Sequence, residues 1–182
     1  MNQRELISVS KFLSLILRHN PQKAEVTLDA NGWVDVAQLI EGMNKHGRVP
    51  VTLDDLKLIV RTDDKQRYVF SDDGSKIRAN QGHSVNVDVE LTAVEPPDIL
   101  YHGTATRFLE SIKDGGLIAS SRLYVHLSAD AETAVKVGKR HGEPVVLGIE
   151  AGEMHARGYP FYLSANGVWL TACVPSDFIC RI

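Results

Sequence analysis

Two cationic side chains lie next to each other at the end of an apolar stretch near the start of the chain. Apolar residues recur every three or four positions from Val9 to Leu17, which predicts an α-helix with one buried face. Arg18 and His19 fall in its last turn, and Pro21 predicts that the helix ends there. A guanidinium and an imidazole held together on a rigid helix could bind an anion. They could also merely complement the helix dipole, so this stretch alone leaves both interpretations open.

Further polar residues surround a predicted β-hairpin. Residues 67–70 and 76–78 alternate in hydropathy and are joined by Ser-Asp-Asp-Gly-Ser, which predicts two paired strands. Arg67 begins the first strand, and the segment 78–84, Arg-Ala-Asn-Gln-Gly-His-Ser, follows the second. This segment is either solvated or contacts a polar ligand, and Gly82 would permit a close backbone approach.

Helices on both sides of these residues must hold them in place. A second helix is predicted from about residue 35 to 45, and a third begins where Thr52 and Asp55 form a capping pattern. Three helices followed by a hairpin predict a winged-helix lobe, a variant of helix-turn-helix. The third helix begins with Leu-Asp-Asp-Leu-Lys, whose acids disfavour the reading of DNA bases.

The second part of the chain follows a linker that contains Pro96 and Pro97, and we place a domain boundary between residues 94 and 95. Short strands are predicted at residues 99–104, 123–128, 145–149, 160–164 and 168–171, and two helices at residues 107–113 and 129–139. The whole chain is therefore expected to have an α+β fold. A histidine on such a strand is more often structural than a ligand, so His102 and His126 are not assigned by pattern alone.

Composition limits the classes of function. The chain has 182 residues and a formal charge of −3, so contact with nucleic acid must depend on a local basic cluster. The first residues do not resemble a signal peptide, and no stretch approaches the length of a membrane span, so we expect a cytoplasmic protein without membrane contact. No histidine or cysteine spacing suits a metal, and no Gly-x-Gly-x-x-Gly follows a strand.

Six motifs, in this order, resemble the NAD-dependent RNA 2′-phosphotransferase family across nearly the whole chain. They are Leu17-Arg18-His19, Lys65-Gln66-Arg67, the segment 78–84, Tyr101-His102-Gly103-Thr104, Ser121-Arg122 with Val125-His126-Leu127-Ser128, and Asn166-Gly167-Val168. The resemblance implies a winged-helix lobe at residues 1–94 that binds RNA phosphate. It also implies an NAD-binding lobe with the ADP-ribosyltransferase fold at residues 95–182.

The resemblance further implies a two-step reaction. An internal 2′-phosphate of RNA, of the kind left at a tRNA splice junction, displaces nicotinamide from NAD⁺ and gives 2′-phospho-ADP-ribosylated RNA. The ribose O2″ then attacks the phosphate, which gives 2′-hydroxyl RNA and ADP-ribose 1″,2″-cyclic phosphate. The implied catalytic residues are Arg18, His19, Arg67 and Arg122. The implied NAD-binding residues are His102, Gly103, Thr104, His126 and Ser128, with no metal and a monomeric protein.

Two positions depart from related patterns. Many ADP-ribosyltransferases have a catalytic Glu where this chain has Val168, which argues against transfer to protein or hydroxyl groups. Tyr124 stands where many relatives have a histidine, and nothing in the sequence interprets that change. Two alternatives remain: an ADP-ribosyltransferase acting on protein or on phosphorylated nucleic-acid ends, and a winged-helix nucleic-acid binder without catalysis.

Overall fold

The computed structural model describes residues 1–181 and contains both helices and short antiparallel sheets, so the fold class is α+β. The chain divides into two compact units, Met1–Glu90 and a second that begins at Leu91. The division lies slightly before the boundary predicted at residues 94 and 95.

The first unit is built on three capped helices. They are α1 (Gln3–Arg18), α2 (Val36–His46) and α3 (Leu53–Thr62), with a 3₁₀ turn at Pro21–Ala24. The Thr52 hydroxyl accepts from the backbone N–H of Asp55, and the Asp55 carboxylate accepts from that of Thr52. Each partner satisfies a backbone donor that the helix leaves unpaired, so the predicted third helix and its capping box are confirmed.

A three-stranded antiparallel sheet completes the first unit. Its strands are β1 (Val34–Asp35), β2 (Tyr68–Phe70) and β3 (Lys76–Ala79), in the order β1-β3-β2. Phe70 pairs with Ile77, which confirms the predicted hairpin. Leu13, Ile16 and Leu17 of α1 are fully buried in the core of this unit. The helix that ends at Arg18 is therefore anchored along its length by burial of apolar surface.

The second unit contains three helices and eight short strands among the described residues. The helices are α4 (Leu109–Gly115), α5 (Ala131–Gly138) and α6 (Ala151–Ala156). The strands are β4 (Leu100–Ala105), β5 (Leu117–Ile118), β6 (Val125–Leu127), β7 (Pro144–Ile149), β8 (Tyr162–Leu163), β9 (Trp169–Thr171), β10 (Cys173–Val174) and β11 (Ile179–Arg181). The prediction of only two helices here was wrong, because α6 was missed.

Three antiparallel sheets make up the strand layer of this unit, with orders β11-β7-β4, β6-β9-β8 and β10-β5. Tyr101 and Ser128 exchange backbone hydrogen bonds of 2.9 and 2.7 Å, which joins β4 to the end of β6. This bridge places the strands that carry His102 and His126 next to each other. None of the helices in the described part of the chain is long and apolar enough to cross a membrane.

Candidate functional site

Arg18 ends α1 in a buried position, with only 9% of its surface exposed. Its guanidinium carbon lies 6.0 Å from the centre of the Tyr68 ring on β2. His19 follows as the C-cap residue and is exposed. A guanidinium stays charged at any ordinary pH, so burial at this position concentrates positive charge beside the exposed imidazole.

The segment from Asn80 to Ser84 packs against this helix end and holds both cationic residues. The Ser84 backbone N–H donates to the Arg18 carbonyl at 2.8 Å. The Ser84 hydroxyl lies 2.9 Å from His19 Nδ1, and this hydrogen bond fixes the ring orientation. Gly82 has a φ of +86°, and a Cβ there would lie 3.5 Å from the Arg18 guanidinium carbon. The segment from Asn80 to Ser84 therefore supports Arg18 and His19 directly, a role that the sequence pattern did not predict.

Arg67 lies at the same edge of the first unit and is held by Asp63. The Asp63 carboxylate accepts from the Arg67 guanidinium and, at 2.7 Å, from the Arg67 backbone N–H. The Asn80 backbone N–H donates to the Arg67 carbonyl at 2.8 Å, so the segment that supports Arg18 also supports Arg67. We define Arg18, His19, Arg67, Gly82 and Ser84 as the Arg18 site.

The burial and the pKa of His83 reflect the electrostatic environment of the Arg18 site. The side chain is 2% exposed, and Nε2 has no hydrogen-bond partner among the described residues. Burial, together with the smaller effect of the positive charges of Arg18, His19 and Arg78, lowers the pKa of His83 to about 4. The smaller effect of these charges means that His83 lies in the positive field of Arg18, His19 and Arg78, and this field favours binding of an anion at the Arg18 site.

His102 and His126 lie on the neighbouring strands β4 and β6. His102 Nδ1 is 3.0 Å from the His126 carbonyl, and His126 Nδ1 is 3.0 Å from the Tyr124 carbonyl. Because a carbonyl only accepts, both Nδ1 atoms carry the proton. Burial lowers the pKa of His102 and keeps it neutral, so Nε2 of His102 is a hydrogen-bond acceptor. A ribose hydroxyl is a suitable donor to such a nitrogen.

Gly103 serves the packing of α5 against β4. A Cβ at this position would lie 1.8 Å from the Ala134 carbonyl oxygen, so only glycine fits. Thr104 is buried on the same strand, and a Cβ on Gly138 of α5 would lie 2.6 Å from its carbonyl oxygen. These contacts give both predicted residues a structural role, and Ser128 has one through its backbone bridge to Tyr101.

Arg122 lies in the turn before β6 and is exposed, with its backbone N–H donating to the Ala119 carbonyl at 3.1 Å. Three of the four predicted catalytic residues thus belong to the first unit and Arg122 to the second. All five predicted NAD-binding residues also belong to the second unit. Within residues 1–181, no group of three or more His, Cys, Asp or Glu side chains could hold a metal ion.

Sequence reasoning missed three residues that shape the Arg18 site. Asp63, His83 and the side chain of Ser84 received no individual role, although the last two lie in a motif shared with the family. The contact of Ser84 joins residues far apart in the chain and the effect of His83 depends on burial, so spacing gave no signal for these two. Asp63 lies four positions before Arg67, and this spacing of opposite charges was a signal that could have found it.

Comparison with known proteins identifies the family. A sequence model described as RNA 2′-phosphotransferase, Tpt1/KptA family, matches residues 4–173, which include all nine predicted site residues. The chain belongs to this RNA 2′-phosphotransferase family.

Relatives within the RNA 2′-phosphotransferase family are similar over nearly their whole length. A protein named probable RNA 2′-phosphotransferase from Hahella chejuensis is 53% identical over 176 residues, which cover 97% of this chain and 94% of the relative. Proteins with the same name from Acaryochloris marina and Escherichia coli O9:H4 are 50% and 51% identical. Their alignments cover 98% of this chain and 98% and 97% of the relatives.

Proposed function

We propose that this protein removes an internal 2′-phosphate from RNA by transferring it to NAD⁺. Family membership and the names of the relatives support RNA 2′-phosphotransferase activity. The NAD dependence, the two-step course and the residue roles below are our proposal. The natural RNA is proposed to be tRNA with a splice-junction 2′-phosphate, and the protein is proposed to be a monomer that uses no metal.

Each of the two units is proposed to bind one of the two substrates. The first unit, a winged-helix lobe in this proposal, binds the RNA phosphate, and three helices with a β-hairpin support that assignment. The second unit is proposed to be an ADP-ribosyltransferase-like lobe that binds NAD⁺. The neutral His102, with Nε2 as an acceptor, suits a ribose hydroxyl. His126 and Ser128 contribute from the adjacent strand end, whereas Gly103 and Thr104 shape β4 through packing.

In the first proposed step, an oxygen of the 2′-phosphate bonds to C1″ of the nicotinamide ribose. The bond from C1″ to the nicotinamide nitrogen breaks, and its electron pair leaves with neutral nicotinamide. Phosphate is already ionised at neutral pH, so this step needs neither a strong base nor a catalytic carboxylate. Arg18 is proposed to hold the phosphate, because a buried guanidinium forms strong charge-assisted hydrogen bonds to its oxygens.

In the second proposed step, O2″ attacks the phosphorus and the bond to the RNA 2′-oxygen breaks. His19 accepts the O2″ proton through Nε2 while Ser84 accepts from Nδ1–H, and the proton passes to the leaving 2′-oxygen. Negative charge grows on the phosphoryl oxygens, so hydrogen bonds from Arg67 and Arg122 gain most here. Each such bond contributes about 1.5–3 kcal/mol.

The observation that carries this proposal is the joint support of Arg18 and His19 by Ser84. Its backbone N–H binds the residue that would hold the phosphate, and its hydroxyl orients the residue that would move the proton. A helix end with a purely structural role would not need both hydrogen bonds of Ser84, one to Arg18 and one to His19, beside a third cationic residue, Arg67.

The test is a reaction of the protein with NAD⁺ and a short RNA that carries one internal 2′-phosphate, in buffer with EDTA. We expect dephosphorylated RNA, nicotinamide and ADP-ribose 1″,2″-cyclic phosphate, separated by chromatography and identified by mass. A stable ADP-ribosylated RNA or protein as the only product would indicate an ADP-ribosyltransferase. RNA binding without any consumption of NAD⁺ would indicate a non-catalytic binder.

Three variants separate the steps. Arg67→Ala and Arg122→Ala should still release nicotinamide but accumulate 2′-phospho-ADP-ribosylated RNA, because both arginines act mainly on the second step. Arg18→Ala should slow nicotinamide release itself. Loss of nicotinamide release in both Arg67→Ala and Arg122→Ala would contradict this division of roles.

A further inference from the structure

A groove with an apolar floor lies in the first unit, between α1 and the end of α2 with the loop that follows it. Its volume is about 460 Å³. The floor is formed by the side chains of Val9, Phe12, Leu15, Met43, Val49 and Val51. Leu15 is an exposed large apolar residue in the last turn of α1, so this floor is accessible on the surface.

Basic side chains line this α1–α2 groove, and no acidic side chain does. The basic residues are Lys11, Lys23, His46 and Arg48. Glu25, outside the lining, lies 3.2 Å from His46 and 2.5 Å from Lys45. Lys11, Lys23 and Arg48 make no ion pair with any residue in the described part of the chain. Three such cations around one groove, in a chain with a formal charge of −3, favour a polyanionic ligand.

Lys11 is shared by the α1–α2 groove and a groove that borders the Arg18 site. This second groove has a volume of about 350 Å³ and contains Arg67 and Tyr68. Lys11 and Arg18 are two helical turns apart on the same face of α1, a rise of about 10 Å. A strand whose phosphate lies at Arg18 can therefore continue along α1 to Lys11 and beyond it to Lys23 and Arg48.

We propose that the α1–α2 groove binds the single-stranded RNA that flanks the 2′-phosphate. This inference rests on the proposed function and extends it to a second part of the substrate. Lys11, Lys23 and Arg48 bind backbone phosphates, and the apolar floor with Phe12 accepts a base. A basic groove combined with an apolar stacking surface is the arrangement by which proteins hold single strands without reading sequence.

The test compares two RNAs that carry the same 2′-phosphate, a trinucleotide and a strand of about 12 nucleotides, which is within the site size of single-strand binders. Kd is measured by fluorescence anisotropy at several salt concentrations, and KM is measured in the transfer reaction. The long RNA should bind the unmodified protein more tightly than the trinucleotide. Its log Kd should also depend more steeply on salt.

Lys23→Gln/Arg48→Gln removes two proposed phosphate contacts. The salt slope for the long RNA should become shallower by about 1.4, at about 0.7 for each contact. Between 50 and 200 mM salt, the unmodified protein should lose affinity by roughly sevenfold more than this variant. KM for the long RNA should rise towards that of the trinucleotide, while the salt slope for the trinucleotide should not change.

Lys57→Gln/Arg61→Gln is the matched control. Both residues are exposed on α3, form no ion pair within residues 1–181, and do not line either groove. The control removes the same net charge, so a general electrostatic effect would appear in it equally. We expect the control to keep the salt slope and the KM of the unmodified protein.

Several results would overturn the proposal. Equal salt slopes for both RNA lengths, with normal turnover, would reject the groove but leave the proposed function intact. A change shared by the control would assign the effect to net charge. If a poly-glutamate peptide bound the unmodified protein but not the groove variant, with equal RNA affinities, the groove would belong to an acidic protein segment. Absence of turnover would reject the proposed function, whereas the binding slopes would still test the groove.

Discussion

His19 and Ser84 are 65 positions apart in the chain, yet His19 Nδ1 lies 2.9 Å from the Ser84 hydroxyl oxygen. This hydrogen bond is one of two contacts by which Ser84 holds the end of α1, the other being its backbone bond to Arg18. The side chain can be changed without removing the backbone contact. Ser84 therefore separates the orientation of His19 from the packing of the helix end.

We expect Ser84→Ala to lower kcat about tenfold, because a hydrogen bond of about 1.5 kcal/mol no longer orients the imidazole. The free energy of unfolding should change little, since the bond lies at the surface. Steady-state kinetics and urea unfolding measure the two quantities. Ser84→Thr retains the hydroxyl and should retain most of the activity. Equal kcat for the alanine and threonine variants would mean that the hydroxyl has no part in the reaction.

Gly82 and Gly74 form a natural pair for testing the support of Arg18. Both have positive φ, +86° and +71°, so alanine at either position costs about 1–2 kcal/mol of stability. A Cβ at Gly82 faces the Arg18 guanidinium at 3.5 Å, whereas a Cβ at Gly74 meets nothing within 4 Å.

We therefore expect Gly82→Ala and Gly74→Ala to lose similar stability in urea unfolding. Only Gly82→Ala should raise KM for the phosphorylated RNA, because backbone strain beside Arg18 shifts the guanidinium. Equal kinetic effects in the two variants would show that the Gly82 backbone does not control Arg18.

The Gly103→Ala variant tests whether the packing of α5 against β4 fixes the shape of the His-Gly-Thr motif. Gly103→Ala places a Cβ 1.8 Å from the Ala134 carbonyl oxygen, which forces α5 away from β4. We expect a loss of about 3 kcal/mol in the free energy of unfolding, at the upper end of overpacking effects. Gly115→Ala, at the end of α4 with open space around its Cβ, is the control and should be neutral or slightly stabilising. A stable Gly103→Ala protein would refute this packing role.

Local signals explain which elements could be predicted from the sequence. The Thr52–Asp55 capping box and the hairpin turn containing Gly74 act within a few residues, so both were predicted. The two-residue strands β1, β5 and β10 are too short to show a period, and their pairing depends on distant partners. The six-residue helix α6 was missed for the same reason of length.

The residues of the candidate site also fall into two groups, those that local sequence signals predict and those whose contacts depend on distant segments. Arg18 and His19 could be located because an apolar helix and a following proline fix their position within one local stretch. The hydrogen bond between His19 and Ser84 and the contact of Gly103 with α5 join segments far apart in the chain. Resemblance to the family indicated these motifs as important, but only the structure separates residues that support the site from those that pack the fold.

His83 gives a pH-dependent prediction, because its pKa is lowered to about 4 in the folded protein. In the unfolded chain an ordinary histidine titrates near 6.5, so between these values the unfolded state binds the extra proton. The contribution of neutral His83 to the free energy of unfolding is therefore complete above pH 6.5 and is lost progressively as the pH falls towards 4. The total loss is roughly 3 kcal/mol, at about 1.4 kcal/mol for each pH unit.

The measurement is the free energy of unfolding in urea at pH 7, 6, 5 and 4.5 for the unmodified protein and for His83→Gln. Carboxylates such as Asp55 and Asp73, whose pKa values are lowered, also destabilise both proteins in acid. Only the difference between the two proteins reports His83. We expect the unmodified protein to lose stability more steeply below pH 6.5. Parallel curves would mean that His83 is not held neutral in the folded protein.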